Sequence, residues 1–359
     1  MPHAPLPIRD GLNPSRLIVP GRRGDNPVSA LDLLTAAIYG QRHRHPDDDH
    51  EAIAQRFRDG LVVDARGRKL AGDEKLKPGA LVWFYRIPAP EPVIAGEMPI
   101  IYADDDLVVV DKPPFLATIP KGRHITETAV VRLRRELSNP DLVPAHRLDR
   151  VTSGLLIFTA RPEMRQQYQT LFANPGMVTK RYHALTRPGG EGVGGVELSG
   201  RAGLSGRVGL SELPQTPWQI STRQKKIPGE LQAFTISGEP NAHTVVEDVQ
   251  PVAFPCDGEG GEVSDASDGV VSTDTKIAWR WILRPLTGRT HQLRLHLLEQ
   301  GTPIIGDQVY PDILPTEAED PSKPLHLTCA YMGFHDPFTG AWREFHSRRD
   351  VADPLTVSS

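Results

Sequence analysis

PAHRLDRVTSGLLIFTARPEMRQQYQTLFANPGMVTKRYHALT, residues 144–186, is the densest stretch of the chain and the one on which the fold turns. Within it GLLIFTA (154–160) is a continuous apolar run of strand length, which predicts a buried strand. RPEMRQQYQTLFAN (161–174) reads as a helix, and VTKRYHALT (178–186) alternates as a second strand. On the N-terminal side, IIYADDDLVVVDKPP (100–114) predicts two short strands around the turn Asp104-Asp105-Asp106, and TAVVRLRREL (128–137) a helix. On the C-terminal side, KIAWRWILR (276–284) alternates, a turn falls at Thr287-Gly288, and a helical stretch begins near His291. Short strands with helices between them predict an α+β domain built on a mixed, largely antiparallel sheet with flanking helices.

The first ninety residues read differently. Leu31, Leu33, Leu34, Ala37 and Ile38 recur at helical spacing, a second helical stretch covers Ala52 to Phe57, and GLVVDARGRKL followed by KLKPGALVWFYR predicts a small hairpin sheet. Pro88-Ala89-Pro90-Glu91-Pro92 reads as a linker. The expected organisation is an N-terminal extension (1–27), a small module (28–87), a linker (88–96), a larger domain (97–349) and a tail (350–359). Residues 255–275, acidic, rich in Gly and Ser and without apolar period, read as a mobile insertion into the larger domain.

A length of 359 residues corresponds to about two domains. Hydrophobic content of 38%, charged content of 24%, 32 Gly and 34 Pro describe a loop-rich globular protein, and no run of eighteen apolar residues suits a membrane span. The opening MPHAPLPIRDGLNPSR lacks the basic-then-apolar pattern of a secretory signal. Two cysteines, Cys256 and Cys329, make no disulfide framework and fit a reducing cytoplasm. Net charge is −4, yet Lys121 to Arg187 holds twelve bases against five acids, a local excess of +7. A basic face on an acidic protein suits a selective polyanion ligand; solvated helix faces are the plainer reading of the same count.

Asp149, flanked by Arg147 and Arg150 just before a buried strand, is a candidate nucleophile or base, whereas the ordinary reading of such a trio is a loop salt bridge. The order HRLDxxTSG, then KRY about thirty residues later, then GRTHQLRLH, with DKPPFLATIP before and PIIGDQVY after, resembles the RluA-type family of RNA pseudouridine synthases over roughly residues 97–346. The first module is similar, more loosely, to a small α-L RNA-binding domain over about 28–86. The resemblance implies an isomerase that turns uridine into its C-glycoside by base flipping, with ribosomal or transfer RNA as partner, in the cytoplasm and as a monomer. It implies that Asp149 is the catalytic aspartate, that Tyr182 lies against the uracil and that Arg294 salt-bridges the aspartate. It gives Arg147 the space left by the flipped nucleotide. His146, Arg150 and Thr152 of the same motif and Arg289 of the GRTH turn are expected to bind substrate. An aspartate paired with arginine in a dry pocket is expected to titrate low.

No Walker or dinucleotide pattern appears, and isomerisation consumes no redox equivalent, so no cofactor is expected. His146, His291, His296, His326, His335 and His346 invite a metal site, but His291 and His296 are five apart, which on a helix turns them away from each other. No metal is expected. Gly288-Arg289-Thr290 is equally a phosphate cradle or a structural turn. The competing class is a non-catalytic RNA-binding protein that retains the synthase fold; a metal-dependent RNA hydrolase is a third, and needs the histidines to converge.

Overall fold

The computed structural model describes residues 4–187, 214–255, 275–315 and 319–358. Apart from Pro255 and Thr275, which end two strands, the acidic insertion lies outside the described residues. Two compact units are present: Met1–Ile94 with Ala117–Leu142, and Ala95–Leu116 with Val143–Ser359.

The first unit comprises β1 (Ser15–Ile18), β2 (Val28–Ser29), α1 (Ala30–Tyr39), α2 (His50–Arg58), β3 (Val63–Asp64), β4 (Lys75–Leu76), β5 (Leu81–Phe84) and α3 (Ala129–Glu136). Each helix begins where a short polar side chain takes an orphan backbone N–H: Ser29 accepts from Asp32, Asp49 from Ala52 and Thr128 from Val131. Leu34 and Ile38, one turn apart on α1, pack with Ile53, Val62, Val82 and Phe84 into this unit's core. Two details depart from the composition-based expectation. Residues 15–18, placed in an extension ahead of the module, form β1 and pair with β5. The Pro-rich linker is tied down, because the Glu91 carboxylate accepts the backbone N–H groups of Ile125, Thr126 and Glu127.

The second unit holds β6 (Ile100–Ala103), β7 (Leu107–Lys112), β8 (Val143–Pro144), β9 (Ser153–Thr159), α4 (Arg165–Ala173), β10 (Val178–Thr186), β11 (Trp218–Lys226), β12 (Ala233–Ile236), β13 (Ala242–Pro255), β14 (Thr275–Pro285), α5 (Gln292–Glu299), β15 (Leu327–His335) and β16 (Trp342–His346). They form one eleven-stranded sheet whose main path runs β12-β11-β13-β14-β10-β15-β9-β7-β6, with β16 on β15 and β8 on β9. The acidic turn between β6 and β7 exists because Asp104 Oδ1 accepts the N–H groups of Asp106 and Leu107 at 2.8 and 2.7 Å. All seven residues of β9 are buried, as a continuous apolar run requires. Leu293 and Leu297 of α5 close a core with Val246, Trp279, Trp281 and Leu283.

Every pairing in this sheet is antiparallel except β9 with β15. That single parallel contact brings two halves together and sets one row of residues across the sheet: Leu283, Tyr182, Cys329 and Gly154 are successive partners on β14, β10, β15 and β9. Gly154 sits at φ +104, and a Cβ there would land on the backbone of Cys329, so no other residue fits this crossing. On β10 the register with β15 slips between Arg181 and Tyr182, a bulge of the kind that re-aims a side chain.

Candidate active site

The chain enters β9 through a turn closed by Thr152 N–H donating to the Asp149 carbonyl at 3.1 Å. Lys112, at the end of β7, is fully buried and spends its three donors on the carbonyls of Pro113, Leu116 and Arg150, at 2.9, 2.8 and 3.1 Å. A lysine enclosed this way is pushed well below its ordinary pKa by burial and by Arg349, with the Asp149 charge opposing. The carbonyl that follows Asp149 is therefore fixed from below, while the Asp149 side chain remains 39% exposed.

Four groups converge on that carboxylate. Tyr182, aimed by the β10 bulge, is partly buried with its hydroxyl held against Cys329, and burial, Cys329 and Asp149 together raise it well above the usual phenol value. Burial pushes the Cys329 thiol up to about 12, so it stays protonated and is a hydrogen-bond partner, not a nucleophile. His291 Nε2 lies 3.9 Å from Asp149 Oδ2. Arg294, 3% exposed, sits one turn into α5 with its guanidinium 5.2 Å from the Tyr310 ring centre. The fourth, Tyr310, contacts His291 Nδ1 at 3.0 Å.

The sequence reading paired Arg294 with Asp149; the structure pairs it with Asp307. Two bonds run from Nε and Nη2 to the Asp307 carboxylate at 2.7 and 2.5 Å, with both side chains at 3% exposure or less. Burial works against the guanidinium charge, but Asp307 outweighs it and, helped by Asp149, holds Arg294 above its ordinary value. Asp149 is thus in electrostatic reach of Arg294 without being its hydrogen-bond partner; the Nε–Nη2 edge of the guanidinium is taken by Asp307. Asp307 Oδ1 also accepts the N–H groups of Val309 and Tyr310, both at 2.9 Å, which seats Tyr310 beside His291. Gly306 before it, at φ +77, lies so close to the Pro324 carbonyl that no side chain fits.

The remaining expected residues divide. Arg147 is exposed and makes no ion pair among the described residues. Arg150 is committed to Glu319 at 2.5 Å and lies 5.7 Å from the Phe115 ring, an internal ion pair and not a free phosphate ligand. Thr152 is buried and serves the turn through its backbone. His146 is turned inward: it stacks on Phe172 at 4.5 Å, its Nε2 accepts the Ile157 N–H, and burial drives its pKa well down. Arg289 is exposed, with Nε on the Asn241 carbonyl at 3.1 Å and its N–H on Gln292 Oε1. Gln292 also reaches the His243 carbonyl and Thr244, which makes the GRTH turn a braced structural element.

The +7 segment does not form one free face. Its Arg132, Arg135, Arg161 and Arg181 pair with Glu127, Asp10, Asp106 and Glu247, and Arg134 is buried against the carbonyls of Leu142 and Gly11. Lys180 is half-buried, with its ammonium 5.0 Å from the Phe172 ring centre. Counting charges along a sequence cannot see that Arg132, Arg135, Arg150, Arg161 and Arg181 are already paired with carboxylates.

The site is thus a carboxylate open to solvent, with a protonated phenol and a guanidinium that has its own counter-ion beside it. The family model for RNA pseudouridylate synthase matches residues 106–299, more than half of the chain and inclusive of Asp149, Tyr182 and Arg294. The chain belongs to the RNA pseudouridylate synthase family. Among relatives of this synthase, an uncharacterized RNA pseudouridine synthase of Synechocystis sp. is 23% identical over 281 residues, 76% of this chain and 78% of the relative. The dual-specificity RNA pseudouridine synthase RluA of Pasteurella multocida is 28% identical over 251 residues, 68% of this chain and 90% of that one. The tRNA pseudouridine synthase C of Vibrio cholerae is 27% identical over 218 residues, covering 59% and 74%. Human RNA Pseudouridylate Synthase Domain Containing 1 superposes with a TM-score of 0.46 at 21% identity over 75% of this chain and 94% of that chain. No helix among the described residues of this synthase is long and apolar enough to cross a membrane.

Three participants lie outside the site residues that the motifs mark: Tyr310, Asp307 and His291, the last read in the sequence only against a metal site. They sit in GRTHQLRLH and PIIGDQVY, stretches that carry no local sign of what these side chains touch. The missing signal is tertiary, since His291 meets Asp149 from a distant part of the chain.

Proposed function

We propose that this synthase isomerises selected uridines of ribosomal or transfer RNA to pseudouridine, acting in the cytoplasm as a monomer, with Asp149 as the group that engages the flipped nucleotide. The observation that carries the reading is the contrast around Asp149: its carboxylate is open while Arg294 and Asp307 behind it are enclosed. A purely binding protein has no use for a desolvated ion pair placed there. The reaction breaks the bond from N1 to the sugar, turns the base and rejoins it through C5, and needs a carboxylate kept clear of competing water. Tyr182, held protonated, offers a ring face and an O–H, and lies against the uracil. The guanidinium of Arg294 gives the site a permanent positive charge that does not depend on Asp149 for its partner. The smaller unit, with Arg44 over the Tyr39 ring at 4.7 Å and Arg42 exposed beside it, is proposed as an RNA-holding module.

The test is to incubate the purified protein with RNA from a strain lacking it and to map pseudouridine. New sites at defined uridines are expected, and their absence from every RNA would sink the reading. Within that assay Arg147, exposed and unpaired, is expected to replace the extruded nucleotide. Unstacking a base costs a few kcal/mol unless something fills the gap. Arg147→Ala should therefore slow turnover at least about tenfold on structured RNA and recover on unpaired oligonucleotides. An equal defect on both substrates removes the gap-filling role.

A further inference from the structure

His291 has no part in the assignments above, yet its geometry is the most constrained at the site. It is the residue before α5 and holds the left-handed conformation, φ 59 and ψ 20. That conformation is uncommon for residues with a Cβ, histidine, asparagine and aspartate being the ones that adopt it most readily. Strain of this kind persists where surrounding structure over-determines it, and here the surroundings are the two faces of the ring. Nδ1 lies 3.0 Å from the Tyr310 hydroxyl; Nε2 points at Asp149 Oδ2 across 3.9 Å, too far for a hydrogen bond in the resting state.

The Tyr310 hydroxyl accepts the Ala233 N–H at 2.7 Å and has two acceptors within reach of its one hydrogen, the Ala233 carbonyl and His291 Nδ1, each at 3.0 Å. With that hydrogen on the carbonyl, a hydroxyl lone pair takes an Nδ1–H, and in the neutral ring the free lone pair falls on Nε2, toward the carboxylate. Burial keeps the ring neutral: desolvation lowers it to about 4 against the raising effect of Asp149. The other charges facing it are Arg294, Asp307 and Lys226, and Asp149 itself is faced by Lys112, Tyr182 and Arg294.

A lone pair aimed at a carboxylate is useless to the ionised acid and useful to the protonated one. We infer that His291 is a positioning residue for Asp149: its Nε2 lone pair, aimed by Tyr310, accepts a hydrogen bond from the Asp149 carboxyl group whenever that group carries a proton. This rests on Asp149 being the reacting group. When Asp149 takes a proton from the bound nucleotide, the bond to the donor atom breaks, an O–H bond forms on the carboxyl oxygen, and that O–H donates to Nε2. The same proton leaves by the reverse step, and His291 ends as it began. In this arrangement Tyr310 holds the Nδ1–H; the opposite tautomer, with Nε2–H, would favour the ionised acid.

Two measurements on the full chain test this. The first needs no RNA: ¹⁵N spectra of histidine-labelled protein at pH 7, with the His291 signal identified by its loss in His291→Asn. The Nδ1–H tautomer is expected, and Tyr310→Phe should turn it into a mixture; an Nε2–H tautomer in the unsubstituted protein overturns the inference. The second is the pH profile of single-turnover pseudouridine formation. His291→Gly suits the left-handed backbone and removes the ring, while His291→Asn suits it and keeps a carbonyl acceptor. Losing one hydrogen bond to the protonated acid should slow His291→Gly about tenfold and move the acid limb down by about one pH unit. His291→Asn should recover part of both. A slower His291→Gly with an unmoved acid limb marks a merely structural residue and overturns the inference. If the unsubstituted protein forms no pseudouridine, the catalytic reading falls, and the tautomer still decides the assignment of Nδ1.

Discussion

Asp149→Asn is expected to lower single-turnover pseudouridine formation by on the order of 10⁴-fold or more, with RNA affinity nearly unchanged. The substitution keeps the side-chain volume and removes only the charge and basicity. It should also fold normally, because Asp149 serves the turn through its backbone carbonyl, which accepts from Thr152, and not through its carboxylate. Equal melting temperatures, equal RNA retention and no product are the expected set. Substantial product in one turnover would remove Asp149 as the reacting group, and lost RNA binding would make it an anchoring residue.

The second large effect belongs to Asp307. Asp307→Ala leaves the Arg294 guanidinium buried without its partner and frees the N–H groups of Val309 and Tyr310. Breaking a buried ion pair from one side costs about 3–5 kcal/mol. That is a large share of the stability of an ordinary domain, so the urea midpoint should fall sharply. Adding Arg294→Met replaces the stranded charge with an apolar side chain of similar length and should restore much of the midpoint. Activity should not return, since the positive charge beside Asp149 is gone. A double variant that regains turnover along with stability would make the pair a folding device only. If Asp307→Ala were as stable as the parent, Arg294 would have to hold another counter-ion.

The parts of this structure that local chemistry specifies were legible beforehand. The apolar run at 154–160, the Asp104 turn, the alternation at 178–186 and 276–284, and the helix after GRTH each carry their period or turn residue within a dozen positions. β15 was not foreseen, because LTCAYMGFH has no clean period and its place between β9 and β10 depends on a parallel pairing that no local signal announces. The site shows the same division. Motif spacing marked Asp149, Tyr182 and Arg294, and the structure brings the charge of Asp149 to bear on both of the others. Which partner an arginine chooses is decided by its side-chain reach in three dimensions, and Asp307 is the closer match to its fork. His146 shows the converse: two residues from the exposed Arg147 and three from Asp149, it faces Phe172.

The strand that joins the two halves of the sheet is also one of the last to be made. β9 and β10 are complete by residue 186, but the strand that bridges them begins at Leu327. At roughly 5–20 residues per second, the intervening chain takes on the order of ten seconds to emerge from a ribosome. Until β15 emerges, nothing in the native sheet joins β9, which follows Asp149, to β10, which carries Tyr182, and the strand edges that β15 covers in the finished protein are unpaired. The nascent enzyme is therefore without its site until nearly the whole chain exists, and a message truncated ahead of codon 327 yields a product with both reactive side chains and no means of uniting them.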